Sequence, residues 1–262
     1  MKTLCVTLWA ESLKIRKSKV FWLSMVFFVF VSFMMGLVMF VQKHPEITEK
    51  IGLIGTKANM LRFGEPNWQN YFILLLQGIS AIGLIGSGFV TSWVFGREYS
   101  ENTLKDILAL PVSRSSIVIS KIIVSIIWSI ILALVFMLGS VFFGYISGIS
   151  GMTGEVFSQF VSKFTMISLL TILLCTPVAF FASFSKGFLL PIGIIILTMI
   201  MANFSGLVGL GPYFPWSIPG LLSVPVVAGG ADLRMASYII LFLTSIIGFA
   251  GTLAWWRYAD QK

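Results

Sequence analysis

The part of this sequence best equipped for chemistry is a polar run at residues 95–121, FGREYSENTLKDILALPVSRSSIVISK. Polar Ser100, Glu101 and Asn102 precede Leu104, Ile107 and Leu108 at helical spacing, and Pro111 ends that pattern about two turns later. A short helix with one apolar face offers docking rather than catalysis, because its exposed stripe needs a groove to fill. The alternative is a structured loop without a partner. Ser113 is placed to cap the following helix, whose first turn runs through Ser116.

Catalytic groups are scarce elsewhere. The one histidine, His44, falls outside every apolar stretch and reads as an ordinary solvated residue, so serine or cysteine catalysis has no base. Two separate thiols, Cys5 and Cys175, with a single histidine cannot make a zinc site. Neither G-x-x-x-x-G-K-[ST] nor G-x-G-x-x-G occurs. We expect no catalytic residue, metal or cofactor in this chain, and any energy input must come from a partner or a gradient.

The elements that must hold the polar run are set by composition. The chain has 262 residues, 57% of them hydrophobic and only 11% charged, so a water-exposed surface around so apolar a content is excluded. Six windows, 20–41, 71–95, 122–146, 164–184, 188–210 and 238–256, reach the ~20 apolar residues that cross a bilayer. An all-α polytopic membrane protein follows, with residues 1–262 as a single transmembrane domain. The first window is too long for a signal-peptide core and no cleavage site follows it, so it reads as a retained helix in a chain whose mature form begins at Met1. The longest stretch between windows, 42–70, is too short for a soluble domain. No Asp, Glu, Lys, Arg or His lies within any window, which argues against a proton relay or ion-coupled carrier.

Six spans place both termini on one side. That side carries twelve of the 18 Lys and Arg residues, five of them before the first window, and the other side carries six. The positive-inside rule then puts both termini in the cytoplasm and the 95–121 run with them. The net charge of +8 is read as orientation and affinity for anionic headgroups, with no nucleic-acid partner.

Four further segments have local meanings. Residues 3–18 form an amphipathic pattern, with Val6, Trp9, Ala10 and Leu13 on one face and Thr7, Glu11, Lys14 and Ser18 on another, suited to the headgroup region or to a plain lead-in. Ser185-Lys186-Gly187 is a tight hairpin turn between the fourth and fifth spans. In the second span Ser80, Gly83 and Ser87 recur at small-residue spacing, for close helix packing or for lining a path. Pro177 and Asn203 are candidates for a kink and an internal hydrogen bond.

The run Gly96-Arg97-Glu98, Asn102-Thr103-Leu104-Lys105, Leu110-Pro111-Val112-Ser113-Arg114 and Ser120-Lys121 resembles the cytoplasmic loop of type-2 ABC exporter permeases, in the branch of bacitracin-resistance and lantibiotic-immunity subunits. The resemblance extends to the basic N-terminus, the six spans and the segment Pro212-Tyr213-Phe214-Pro215-Trp216-Ser217-Ile218-Pro219. It implies a coupling helix at about 101–110, including Glu101, Thr103, Leu104, Ile107 and Leu108, that enters a separate ATPase subunit. Glu98 and Arg114 bracket this helix, as transmitting contacts or as solvated charges. It also implies that Pro215, Trp216, Pro219, Leu221 and Leu222 belong to an external re-entrant lid, the rival being an interfacial loop anchored by Trp216. ATP and Mg would be bound by two ATPase copies, working with a second permease copy or paralogue and with membrane lipid. The expected function is export of an antimicrobial peptide, antibiotic or amphipathic, lipid-like cargo from a bacterial plasma membrane. Its alternatives are a secondary transporter or channel without an ATPase, and a structural or sensory membrane protein.

Overall fold

A chain this apolar in lipid must satisfy its backbone internally, and helices do so within one segment. The computed structural model describes residues 2–44, 64–101, 103, 111–225 and 233–258. Its regular elements there are all helical: α1 (Lys2–Arg16), α2 (Lys19–Lys43), α3 (Trp68–Ser100), α4 (Arg114–Ile146), α5 (Gly154–Leu173), α6 (Thr176–Phe184), α7 (Leu189–Leu207), two single 3-10 turns (Gly211–Tyr213 and Pro215–Ser217), α8 (Ile218–Ser223) and α9 (Met235–Tyr258). Six spans result: α2, α3, α4, α5 with α6, α7, and α9.

Local chemistry sets the boundaries. The Ser113 hydroxyl accepts from the Ser116 N–H and opens α4, and Thr153 does the same for Val156 at α5. Between α6 and α7, Lys186 takes a left-handed φ of 52°, which makes Ser185-Lys186-Gly187 the turn of a hairpin. Pro177 has no N–H to give the Leu173 carbonyl, so the fourth span breaks there. The Thr176 hydroxyl supplies the missing donor, at 2.9 Å from Leu173 O and 2.8 Å from Ser245 O.

α3 is the central helix, packed against α4, α5, α6 and α7, while α2 pairs mainly with α4 and α9 with α6. Polar stitches fix these pairs: Ser32 Oγ donates to Phe136 O, Trp128 Nε1 to Ser24 Oγ, and Tyr71 OH to Ser140 O. Phe28, Phe136, Phe160 and Phe164 join the core between them. α7 is much the most exposed span. Asn203 points away from the bundle and bonds its own helix at Met199 O.

Gly248 of α9 lies directly on the α6 backbone, where an added Cβ would come within 2.6 Å of Pro177 Cα. Gly248→Ala should therefore force α9 off α6 and lower stability by ~1–3 kcal/mol, measured as earlier thermal unfolding in detergent, whereas Gly206→Ala, with open space around it, should not.

Candidate functional site

Three elements reach the membrane boundary together on the side that carries the N-terminus. The apolar window of α3 ends at Phe95, that of α4 begins at Ile122, and α1 leads into α2 just before Val20. Packing α1 across α4 brings Thr7 Oγ1 to 2.6 Å from Ser120 Oγ. This leaves Val6, Trp9 and Leu13 exposed and turns Glu11 and Ile15 inward. The apolar stripe read from the sequence thus faces outward, and the polar face that carries Thr7, Glu11 and Lys14 faces protein.

That polar face completes a closed ring of four charges. Lys14 Nζ lies 2.8 Å from Glu11 Oε1 and 3.2 Å from Glu98 Oε1, and Lys121 Nζ lies 3.3 Å from Glu11 Oε2 and 2.7 Å from Glu98 Oε1. Lys121 is 1% exposed, Glu98 3% and Glu11 7%. The third Lys121 donor is used at Val94 O, 3.1 Å away, so each N–H of this buried ammonium has an acceptor. Burial pushes the Glu11 carboxyl upward, but Lys121 and Lys14 outweigh it and hold the pKa below the ordinary 4.5. Burial likewise lowers Lys14, and Glu11 and Glu98 reverse this to raise it above 10.5. Two acids and two bases sum to no net charge, which is the condition under which a buried cluster persists.

Beside the ring opens a cavity of about 320 Å³, walled also by Trp93, Val94, Arg97, Glu101 and Thr103. Arg97 sits over the Trp93 ring at 5.0 Å and donates from Nε to Glu101 Oε1 at 2.8 Å. Glu101 closes α3, its N–H donating to Arg97 O, and Thr103 N donates to Glu98 O. Glu101 is therefore part of the end of α3. Asn102, Leu104, Ile107 and Leu108, with the rest of 104–110, lie outside the described residues. Arg114, at the other end of this segment, donates from Nη1 to Trp256 O at 3.3 Å and so ties the end of α9 to the start of α4. Glu98 and Arg114 engage different partners: Glu98 is buried in the ring, whereas Arg114 is exposed and holds the Trp256 carbonyl.

The small residues of α3 face different neighbours. The Ser87 hydroxyl accepts from Cys175 Sγ at 3.2 Å, a link between α3 and the α5–α6 break. Gly83 lies toward Thr171 of α5, and Ser80 bonds its own helix at Gln77 O. The glycines that permit the closest approaches are Gly86 and Gly88, in contact with Phe28 of α2 and Ile195 of α7. Flanking them is an apolar groove of about 530 Å³ between α2, α3, α4 and α7, lined by Phe27, Phe28, Phe89, Leu132, Ile192 and Ile196 among others.

At the end of the bundle remote from the termini, residues 211–223 fold into the two 3-10 turns and α8. Pro215, Ile218 and Pro219 are buried, with Trp216, Leu221 and Leu222 half-buried. α8 packs on α3 and α5, and the turns on α7 and α9. The Ser217 hydroxyl bonds the Gly211 and Phe214 carbonyls. This covers irregular backbone with protein, as membrane depth requires.

No group of three or more potential metal ligands occurs among the described residues. In the sequence Lys14 stood on the polar face of the 3–18 helix and Lys121 in the family-like run, both counted as orientation charges, and the ring was missed. The available signal was the position of Glu98 and Lys121, each within three residues of an apolar window on adjacent antiparallel spans.

The profile of the ABC-2 family transporter protein family matches residues 7–203. The "Bacitracin transport permease protein BCRB" of Bacillus licheniformis is 31% identical over 208 residues, covering 76% of this chain and 94% of the relative. The matched region contains the ring, the 101–110 segment, the first four spans and most of the fifth. With three quarters of its length inside the profile, the chain belongs to the ABC-2 family of transporter proteins.

Proposed function

We propose that this chain is the membrane subunit of an ATP-driven exporter, assembled as two permeases with two copies of a separate ABC ATPase that binds ATP and Mg. The observation that carries the reading is the ring at the root of the 101–110 segment. Two ends of the segment are fixed to different helices, Glu98 to α1 and α4 and Arg114 to α9, so force applied there reaches four membrane elements. A partnerless loop needs no such anchorage. The apolar stripe Leu104, Ile107 and Leu108 is the surface that enters the ATPase.

The cargo we propose is an amphipathic peptide, an antibiotic or a lipid-like molecule. The name of the bacitracin permease relative points this way, and the apolar groove beside α2 and α7 is open to molecules that partition into lipid. The cap at 211–223 is the lid at the outer end of that path. The chain itself performs no catalysis in this scheme.

The test is purification of the tagged chain in mild detergent from its own cells. An ABC ATPase should accompany it, and ATP hydrolysis by the complex should rise with cargo; isolation without an ATPase, with export surviving ATP depletion, would overturn the reading. The cytoplasmic placement of the termini is checked separately. Single-cysteine tags at Gly55 and Gly154 should react with an impermeant thiol reagent added outside, while tags at Asn102 and Lys262 stay protected until the cells are opened. Labelling of Asn102 in intact cells would invert the topology.

A further inference from the structure

The cavity beside the charge ring has an unmet demand of both signs. Both lysine contacts to Glu98 fall on one oxygen, Oε1. The other, Oε2, is buried without a hydrogen-bond partner, and so is Arg97 Nη1. Both residues line the same cavity. A buried carboxylate oxygen and a buried guanidinium N–H left open are costly, and each is best met by a charged counterpart through a charge-assisted bond.

We propose that this cavity binds a zwitterionic headgroup bearing a primary ammonium and a phosphate, the phosphoethanolamine class. The ammonium donates to Glu98 Oε2, and the phosphate accepts from Arg97 Nη1 and from the Lys14 N–H that the ring leaves over. The cavity wall carries Glu11, Glu98 and Glu101 against Lys14, Arg97 and Lys121, so a ligand of zero net charge leaves it balanced. An anionic headgroup such as phosphatidylglycerol brings only neutral hydroxyls to Glu98 Oε2 and leaves the site with a net negative charge. A choline headgroup has the right charge but no N–H, so the carboxylate oxygen would stay unbonded. Depth favours a lipid as the source. The cavity straddles the ends of the α3 and α4 apolar windows, under an interfacial helix whose Trp9 is 69% exposed, at the level where headgroups lie and where Trp93 and Trp9 are at home. Its volume of about 320 Å³ admits a headgroup and the first carbons of its glycerol. The site stands on its own geometry and does not depend on which cargo or ATPase the protein uses.

The experiment is native mass spectrometry of the purified full-length chain in detergent, titrated with phosphatidylethanolamine, phosphatidylcholine and phosphatidylglycerol of matched acyl chains. Retention of phosphatidylethanolamine should exceed that of the other two by about tenfold, the worth of one charge-assisted bond. Glu98→Gln, which removes the charge that receives the ammonium, should abolish that preference, and Arg97→Gln, which leaves all four ring residues in place, should lower retention of all three lipids by about tenfold, since each carries the phosphate. Displacement by soluble phosphoethanolamine would assign recognition to the headgroup alone, and resistance to it would assign recognition to the whole lipid. Equal retention of the three lipids by the parent, a preference for phosphatidylglycerol, or an Arg97→Gln variant that retains all three lipids as the parent does would each overturn the site.

Discussion

Replacing Lys121 with methionine is expected to cost about 3–5 kcal/mol of stability, because it breaks a buried set of ion pairs from one side. The methionine fills similar space, but it strands Glu11 and Glu98 in protein with Lys14 as their shared partner, and it removes the second donor to Val94 O. Thermal unfolding of the purified variant measures the loss, and a double change, Lys121→Met with Glu98→Gln, should recover part of it by removing one stranded charge. The pH dependence has a definite sign. Glu11 is held below 4.5 in the fold, so its contribution is present above that value and is lost as pH falls through the folded pKa. Lys14 is held above 10.5, so its contribution is complete below that value and disappears as pH rises through the folded pKa. The parent should therefore be most stable between these limits. Lys121→Met should weaken the acid limb, because the depression of Glu11 depends first on Lys121. A variant with parental stability at neutral pH and an unchanged acid limb would show that the ring contributes nothing.

The second large effect is expected at the segment this ring anchors. Ile107→Asp or Leu108→Asp places an unpaired carboxylate on the stripe assigned to the ATPase groove, a change expected to cost several kcal/mol of association and so at least a hundredfold in affinity. The variant chain should insert and melt like the parent, because these side chains are assigned to the partner and not to the bundle, yet it should lose the ATPase on purification and lose cargo-stimulated hydrolysis. Recovery of the ATPase at parental yield with either substitution would remove the coupling role from 104–110.

These two experiments address features that differed greatly in how visible they were in the sequence. The spans were legible because hydrophobicity over twenty residues is a local property, and so were the Ser113 cap, the turn at Ser185-Lys186-Gly187 and the Pro177 break, each written in one or two residues. The apolar face of α1 was also legible. The partners of its polar face were not legible, because helical periodicity reports which residues share a side and not what that side meets. Glu11 meets a lysine 110 positions away, and Lys14 a glutamate 84 positions away, separations over which neither spacing nor propensity carries information. Glu101 was placed at the start of a new helix for a related reason: Ser and Glu read equally well as the beginning of one helix or the end of another, and the Arg97–Glu101 pair at i, i+4 continues α3. The small residues of α3 showed that helices would approach closely, but not which ones. Gly86 and Gly88, rather than the Ser80, Gly83 and Ser87 series, receive α2 and α7.

The ring also orders events during synthesis. Glu11 and Lys14 leave the ribosome first, while Lys121 follows Glu11 by 110 residues, on the order of ten seconds at roughly 5–20 residues per second. For that interval α1 has no protein to dock on, and its charges must remain in the headgroup layer beside its own apolar stripe. Closure of the ring becomes possible only after the α3–α4 hairpin has been inserted with both of its charged ends on the side of the N-terminus. The seating of the first helix is therefore a report that the second and third spans have entered in the correct direction, and a nascent chain with that hairpin inverted would leave α1 loose and open to quality-control proteases.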